Sequence, residues 1–441
     1  MSSFMLRSAI VLLALPAALA AQAATDSLAA RPIALREAVA LAEQNGLAAI
    51  QARGQIRTAE SSVRTARAAL LPSLNISLGQ VNQSGQRLDA QGRLVPYLAT
   101  QPWTYSTGLN SSVNLFDGGR RFNEIKRARY DVGAAEANEV TQQYSLALQV
   151  KTQYYAILAA REAEAAALAQ LQQANEQLKT SIVRTRAGVA TLSDSLRSVI
   201  AVGNAQLALI TARNNVRVSS AALTRLIGSE TLVTAQPSDT LDSAMQPVDS
   251  TFLASLLDQG PVVRQTEAQL ASARSAVRSA KTPYLPSVDL TYSRSGNGFN
   301  RTYGLGGDPL AYTNNFSLRL SYALFNNFAR EDALTRAEVQ ADLVEAQVRD
   351  ARLGAQQTLV QQLAAVRTAQ QRILLQQATL DAAREDLRVQ QQRYALGAST
   401  LLDVLTSQTT LDNARFALIQ ARQDVRVARA QLEALVGRDL P

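Results

Sequence analysis

The sequence predicts an α+β membrane protein, with long helical hairpins joined to short pairs of strands. Three observations carry that reading. The chain is written twice, each copy alternates apolar and polar residues over two strand-length stretches, and each then runs helical without proline for about 67–70 residues. Helices of that length span roughly 100 Å and have no use in a compact domain.

The duplication is direct. Leu71-Pro72-Ser73-Leu74-Asn75-Ile76-Ser77 returns as Leu285-Pro286-Ser287-Val288-Asp289-Leu290-Thr291, and Gly188-Val189-Ala190-Thr191-Leu192-Ser193-Asp194 returns as Gly397-Ala398-Ser399-Thr400-Leu401-Leu402-Asp403. The offset changes by a few residues between the two strands of each copy. Exposed loops tolerate such insertions best, so that loop is expected at a surface. The predicted boundaries are 1–23 for a signal peptide, 24–230 for the first copy, 231–250 for a linker and 251–441 for the second copy.

The first residues are a targeting segment. Arg7 precedes a short apolar run, Pro16 follows it, and Ala18-Leu19-Ala20 or Ala21-Gln22-Ala23 offers the cleavage site. Copy one then opens on a short amphipathic helix, Leu35 to Asn45, stopped by Gly46; its partner runs from about Thr251 to Gln259 and stops at Gly260-Pro261. Second helices are expected over about 47–69 and 261–282, broken by Pro72 and Pro286, which lack an N–H and disfavour the helical conformation before them.

Alternation follows. Strands are expected at about 74–82 and 105–116, and again at about 287–293 and 314–325. Leu74, Ile76 and Leu78 fall on one face and Asn75 and Ser77 on the other. Phe316, Leu318, Leu320, Tyr322 and Leu324 likewise oppose Ser317, Arg319 and Ser321. Aromatics lie near both pairs, Tyr97, Trp103 and Tyr105 in one and Tyr303, Tyr312 and Phe316 in the other, as at a membrane interface.

Long helices are expected over about 118–187 and 328–396, with returning helices over about 191–227 and 400–436. An apolar residue recurs every seven positions at Leu359, Val366, Ile373, Leu380, Leu387 and Tyr394, and at Leu411, Leu418, Val425 and Leu432. Copy one repeats the row with breaks at Glu164 and Thr185. Strict sevens impose a left-handed supercoil of paired helices with a narrow seam. The stretch from Thr231 to Ser250, with Pro237 and Pro247, has no period and reads as a linker packed beside the short first helix.

Composition narrows the function. The chain has no cysteine and no histidine, which removes disulfides, thiolate metal sites and the commonest general base. The carboxylates lie at helix-surface spacing, and no glycine-rich phosphate loop precedes a helix. No catalytic, cofactor or metal site is therefore assigned. The net charge of +8 comes from arginines spread along helices, without a basic block, so nucleic acid is not an expected partner. After the signal peptide no stretch of about 18 uncharged apolar residues is evident, so membrane entry falls to a closed β-barrel.

Four strands cannot close a barrel. Two copies would supply eight, a barrel filled by its own side chains, and three would supply twelve, leaving a lumen. A conduit therefore favours three copies, with helices continuing from the barrel into a hollow helical tube, an α-barrel. The turns at Gly188 and Gly397 are the candidate functional positions: glycine ends each incoming helix, and Thr191 or Thr400 with Asp194 or Asp403 three residues on has capping-box spacing. That pattern also describes an ordinary helical hairpin. At the far end of an enclosed tube, an aspartate on each tip would make a ring of negative charge.

The chain resembles the TolC-like outer-membrane efflux protein family over essentially the whole mature sequence. The resemblance rests on Leu35-x-Glu37-Ala38-Val39-x-Leu41-Ala42, Leu71-Pro72-Ser73, Leu115-Phe116-Asp117-Gly118-Gly119-Arg120-Arg121 and Tyr394-Ala395-x-Gly397-x-x-Thr400-x-x-Asp403-Val404-Leu405, in order and partly in duplicate. It implies a homotrimer with a twelve-stranded barrel in outer-membrane lipid and a periplasmic helical tunnel, docked on a periplasmic adaptor (membrane fusion) protein bound to an inner-membrane pump or ATP-driven exporter. The implied function is a passive conduit of a tripartite efflux system. A type I protein-secretion duct and a pore-free periplasmic coiled-coil scaffold are the alternatives. By the same resemblance Gly188, Thr191, Leu192, Gly397, Thr400 and Leu401 are adaptor-contacting tip residues. Asp403 is the aperture aspartate, and Tyr394 with Asp194 a hydrogen-bonded latch. Two positions depart from the pattern: Thr406 stands where the family can carry a second aspartate, and Ser399 where it carries a latch arginine.

Overall fold

The computed structural model describes residues 30–82, 86–88, 90–96, 103–239, 250–300 and 311–440. The expected signal peptide, Tyr97, Tyr303 and half of the 231–250 linker lie outside them. In chain order the elements are β1 (Arg31–Ile33), α1 (Leu35–Asn45), α2 (Leu47–Ala68), β2 (Ser73–Asn82), β3 (Gln86–Leu88), β4 (Leu94–Pro96), β5 (Trp103–Phe116), α3 (Arg120–Arg186) and α4 (Leu192–Ile227). They continue with β6 (Val233–Ala235), α5 (Ser250–Leu256), α6 (Pro261–Ala280), β7 (Ser287–Asn300), β8 (Ala311–Ser321), α7 (Ala329–Ala395) and α8 (Leu401–Val436). The long helices α3 and α7 have 67 residues each, and the returning helices α4 and α8 have 36 each.

Two compact units emerge, each drawing on both sequence copies: Met1–Ala52, Glu139–Pro261 and Leu353–Pro441 form one, Arg53–Asn138 and Val262–Arg352 the other. The second holds a four-stranded antiparallel sheet in the order β2-β5-β7-β8. Its register sorts most side chains by polarity, although Arg294 and Asn314 share the apolar face in one rung with Ile76 and Leu109. Ile76 pairs with Leu109, Val113 with Leu290 and Leu290 with Leu318, while Tyr292 pairs with Phe316 and Val288 with Leu320. The opposite face carries the ladders Asn75–Asn110–Ser293–Asn315 and Ser73–Ser112–Thr291–Ser317. Hydroxyls lock these rungs, Ser73 to Ser112 at 2.8 Å and Thr291 to Ser317 at 2.7 Å, and Asn114 Nδ2 donates to Asp289 at 2.7 Å.

Two strand ends differ from expectation. β7 runs on to Asn300 because its partner β5 continues to Trp103; two ladders hold it as far as Asn297, and that of β5 alone carries Gly298 to Asn300. β8 stops at Ser321 rather than near residue 325, since its partner begins only at Ser287, after Pro286. A register shift between Asn114 and Phe116 leaves Leu115 at a bulge.

The turns from sheet to helix solve one geometry in two ways. Gly118 and Gly119 have φ of +67° and +84°, and the equivalent residues of copy two are Asn327 and Phe328 at +55° and +61°. Left-handed backbone costs a non-glycine residue about 1–2 kcal/mol. In copy one, buried Asp117 accepts from Arg121 N–H and Nε, the latter at 3.0 Å, and caps α3.

Polar contacts join the helices of this unit. Asn138 bridges Gln55 of α2 and Gln265 of α6 at 2.8 and 3.0 Å, Ser272 of α6 bonds Asp131 of α3, and Arg274 of α6 pairs with Glu345 of α7 at 3.0 Å.

The other unit has three main cores, the smallest of them joining Leu253, Leu257, Leu359, Val366, Ala428, Leu432 and Val436. In one, Ile33, Ala38, Ala42, Leu146, Val150, Ile157, Leu223, Ile227, Val233 and Ala235 pack around Tyr154. The seven-residue rows built the second seam: Leu380, Leu387, Tyr394, Leu411 and Leu418 are buried together. The breaks in copy one are polar pairs across the α3–α4 hairpin, Glu164 with Arg213 at 3.2 Å and Thr185 with Ser195 at 2.8 Å.

Periodicity missed the parallel pair β1–β6, each three residues long. Its anchor is Tyr154, whose hydroxyl lies 3.0 Å from the Ile33 carbonyl, bonds Asp239 and accepts from Gln236 N–H at 3.1 Å. Burial is the main force holding this phenol far above the usual range. Tyr154→Phe takes a hydrogen-bond donor from the Asp239 carboxylate while the Gln236 N–H keeps the Ile33 carbonyl at 3.0 Å, and it is expected to destabilise the unit by about 1–3 kcal/mol, read as a lower urea midpoint with an unchanged slope.

Candidate functional site

The tip turns follow from local chemistry. Gly188 and Gly397 adopt φ of +74° and +75°, the left-handed conformation that ends α3 and α7. Each returning helix then begins with a reciprocal capping box. Asp194 Oδ2 accepts from Thr191 N–H at 3.0 Å and from its hydroxyl at 2.9 Å; Asp403 Oδ2 accepts from Thr400 N–H and hydroxyl, both at 2.8 Å. In return Asp194 N–H and Asp403 N–H donate to the threonine oxygens. One oxygen of each aspartate is thus committed to holding its own tip.

The Thr400 bonds hold the Asp403 carboxyl below the usual range. Because folding depresses this pKa, the stabilisation is complete above the unfolded aspartate value and disappears as pH falls through the folded one.

The two hairpins are not equivalent at their ends. Leu192 is 69% exposed, but Leu401 is only 2% exposed, packed with Leu387, Tyr394 and Val404. As the structure stands, Leu401 supports the turn from beneath and presents no contact surface. Among the described residues the latch implied by resemblance is also not made: no hydrogen bond reaches the buried Tyr394 hydroxyl, and Asp194 is engaged by Thr191. Burial first, and then the nearby charge of Asp194, push this phenol up, with Arg184 partly opposing. Ser399, at the latch-arginine position, donates to the Gln390 carbonyl at 3.3 Å, and Thr406 donates to the Leu402 carbonyl at 2.9 Å.

Arg184 escaped the sequence reading. Its guanidinium stacks 4.8 Å from the Tyr394 ring centroid, and Nη1 donates to the Ala395 carbonyl at 3.2 Å, linking the end of α3 to the end of α7. Its repeat equivalent, Arg393, donates to Ala398 in its own turn. The only available signal was an arginine near the end of each long helix, which is ordinary helix-end chemistry.

Behind the tips, α3, α4, α7 and α8 line a cavity of about 420 Å³ with Gln173, Gln177, Arg197, Asn204, Gln408 and Asp412. Asp412 is buried, and its carboxyl is pushed up by that burial despite bonds from Gln408 and Arg415. The walls are amide-rich and can hydrogen-bond but hold no catalytic arrangement.

A model of the outer membrane efflux protein family matches residues 37–229 and 252–438. The chain is 29% identical over 413 residues to the pyoverdine export outer membrane protein OpmQ of Pseudomonas aeruginosa, covering 90% of this chain and 82% of that one. It is 26% identical over 420 residues to the outer membrane efflux protein BepC of Brucella suis, covering 92% and 85%. The fold superposes on the CmeC outer membrane channel of Campylobacter jejuni with a TM-score of 0.75 at 18% identity, covering 91% of this chain and 85% of that one.

Three outcomes test the tips. Thr191→Ala removes one cap and should speed amide exchange in the first turn of α4 about five-fold, whereas Tyr394→Phe, which loses no hydrogen bond within the chain, should shift stability by less than about 0.5 kcal/mol. Acidification from about pH 5 to pH 2 should loosen the first turn of α8, seen as faster exchange after correction for intrinsic rates.

Proposed function

The chain belongs to the outer membrane efflux protein family and is an outer-membrane efflux channel; from that premise we propose that three copies form one passive duct. The observation that carries this reading is the sheet: four strands, one face mainly apolar from Val288 to Tyr292 and Leu320 to Phe316 and the other polar, with β2 and β8 at its two edges. In hydrocarbon an unpaired edge costs several kcal/mol per backbone group, so β8 of one copy pairs with β2 of the next until the ring closes. Three copies close it at twelve strands, with the Asn, Ser and Thr ladders lining a wet lumen. Leu74, Ile76 and Leu78 at one edge, and Phe316, Leu318 and Leu320 at the other, are 65–73% exposed in the single chain and would face lipid.

The helices extend the duct. α4 is more apolar than the sequence reading allowed: an 18-residue window reaches a mean hydropathy of 1.2 with only 22% of it buried. Its exposed Val199, Ile200, Leu207 and Ile210 form a face for a neighbouring copy. Gly188, Thr191, Leu192, Gly397 and Thr400 meet a periplasmic adaptor that couples the duct to an inner-membrane pump. Asp403, with Asp194 and Tyr394, narrows the tip, and the free oxygen of each aspartate attracts cations. The pump supplies the driving energy, since a passive lumen needs only a continuous wet path.

In planar bilayers the purified protein should conduct as a heat-modifiable trimer, and Asp403→Ala should relieve divalent-cation block. A monomer that makes no conducting events would overturn the duct, and unchanged block would remove Asp403 from the constriction. Leu318→Arg places a charge on the lipid face and should cost about 2–4 kcal/mol, seen as loss of trimer from outer-membrane fractions.

A further inference from the structure

One cation lies on the face that should be dry. Arg294 belongs to the rung Ile76–Leu109–Arg294–Asn314, between the rung that holds Tyr292 and Phe316 and the rung that holds Leu78 and Tyr312. It is exposed, and among the described residues no ion pair or hydrogen bond reaches it. The four strands contain one acidic residue, Asp289, which sits on the polar face opposite Arg319 and accepts from Asn114. What the chain gives Arg294 is a brace. Its guanidinium stacks 4.5 Å from the Tyr312 ring centroid, and that ring lies across Gly296, where a Cβ would stand 2.7 Å from Cε1. Beside it Tyr292 Oη donates to Asn314 Oδ1 at 3.2 Å, which leaves the Asn314 amide nitrogen as the donor next to Arg294.

We propose that Arg294 and Asn314 form a site for a lipid phosphate, one per copy, in the leaflet away from the helices. Charge complementarity selects the ligand. An arginine facing hydrocarbon is costly at mid-depth and much less so near the headgroups. No carboxylate shares its face, and β2 of the next copy, which would lie beside β8, carries none either, so the anion comes from the lipid. A planar guanidinium holds two oxygens of a phosphate at once, and the neighbouring amide adds another donor. Depth selects the leaflet. From Val288, at the helix end of the face, to Arg294 is about 20 Å of strand, or about 15 Å of height at a tilt of about 40°. In an apolar band about 25 Å tall the Arg294 backbone is then past the middle. Tyr312, one rung further on, draws the side chain towards the far surface, as long cationic side chains do at membrane boundaries. With the helices on the periplasmic side, that surface is the outer leaflet.

The proposal rests on the duct reading, and conductance of the same preparation tests that reading separately. The purified trimer in detergent is incubated with lipid A carrying its phosphates, or with the same lipid after their removal, and bound lipid is counted by native mass spectrometry. One lipid A per copy is expected. Retention should fall about tenfold in Arg294→Leu and for the dephosphorylated lipid, and stay unchanged in Arg319→Leu on the polar face. Arg294→Lys keeps the charge but not the fork and should fall between. Equal retention by wild type and Arg294→Leu, equal retention of the dephosphorylated lipid (acyl chains alone holding it), or displacement by equimolar inorganic phosphate would each overturn the site. Because Arg294→Leu restores an apolar rung, its trimer should form and conduct in phosphatidylcholine bilayers as the wild type does. A conducting wild-type trimer that binds no lipid A sinks the proposal and leaves the duct, whereas a non-conducting monomer sinks both.

Discussion

Everything in this molecule answers to an unfinished sheet. Four strands with paired interiors and bare margins cannot rest in hydrocarbon, and their two faces differ enough, Arg294 and Asn314 aside, that neither can trade places with the other. A slip of one residue would carry Leu290 and Leu318 into the Asn and Ser ladders. The cross-strand hydroxyl pairs and the Asn114–Asp289 bond make such a slip costly, because the polar rungs would lose their partners.

The helices meet a different demand. They must pair along great length while keeping water on at least one side, and a narrow seam does this where a broad apolar face would collapse. The row through Leu380, Leu387, Tyr394, Leu411 and Leu418 is continuous, whereas copy one interrupts its row with Glu164 and Thr185 and bridges each gap by a polar pair. The Tyr154 cluster adds a fixed point by tying α3 to the β1–β6 pair through one shared hydroxyl.

Legibility in the sequence followed periodicity. The long helices, the returning helices and the faces of the strands could be read because each repeats a rule many times. The β1–β6 pair could not, since three residues give alternation no room to declare itself. The far ends of β7 and β8 were set by their ladder partners rather than by their own residues. At the tips the capping boxes were legible from spacing, but the burial of Leu401 and the reach of Arg184 depend on how two hairpins lie together within their unit. No single helix encodes that.

Arg184 and Arg393 began as the same position in a doubled sequence and now have separate duties. The first tethers one hairpin to the other through Tyr394 and Ala395, and the second merely closes its own loop. The two hairpins are therefore alike in their turns and joined by an asymmetric clasp. A chain stitched from two identical halves could preserve every seam and still lose the feature that gives its paired ends a fixed partnership, so the divergence of the halves is part of the architecture rather than drift upon it.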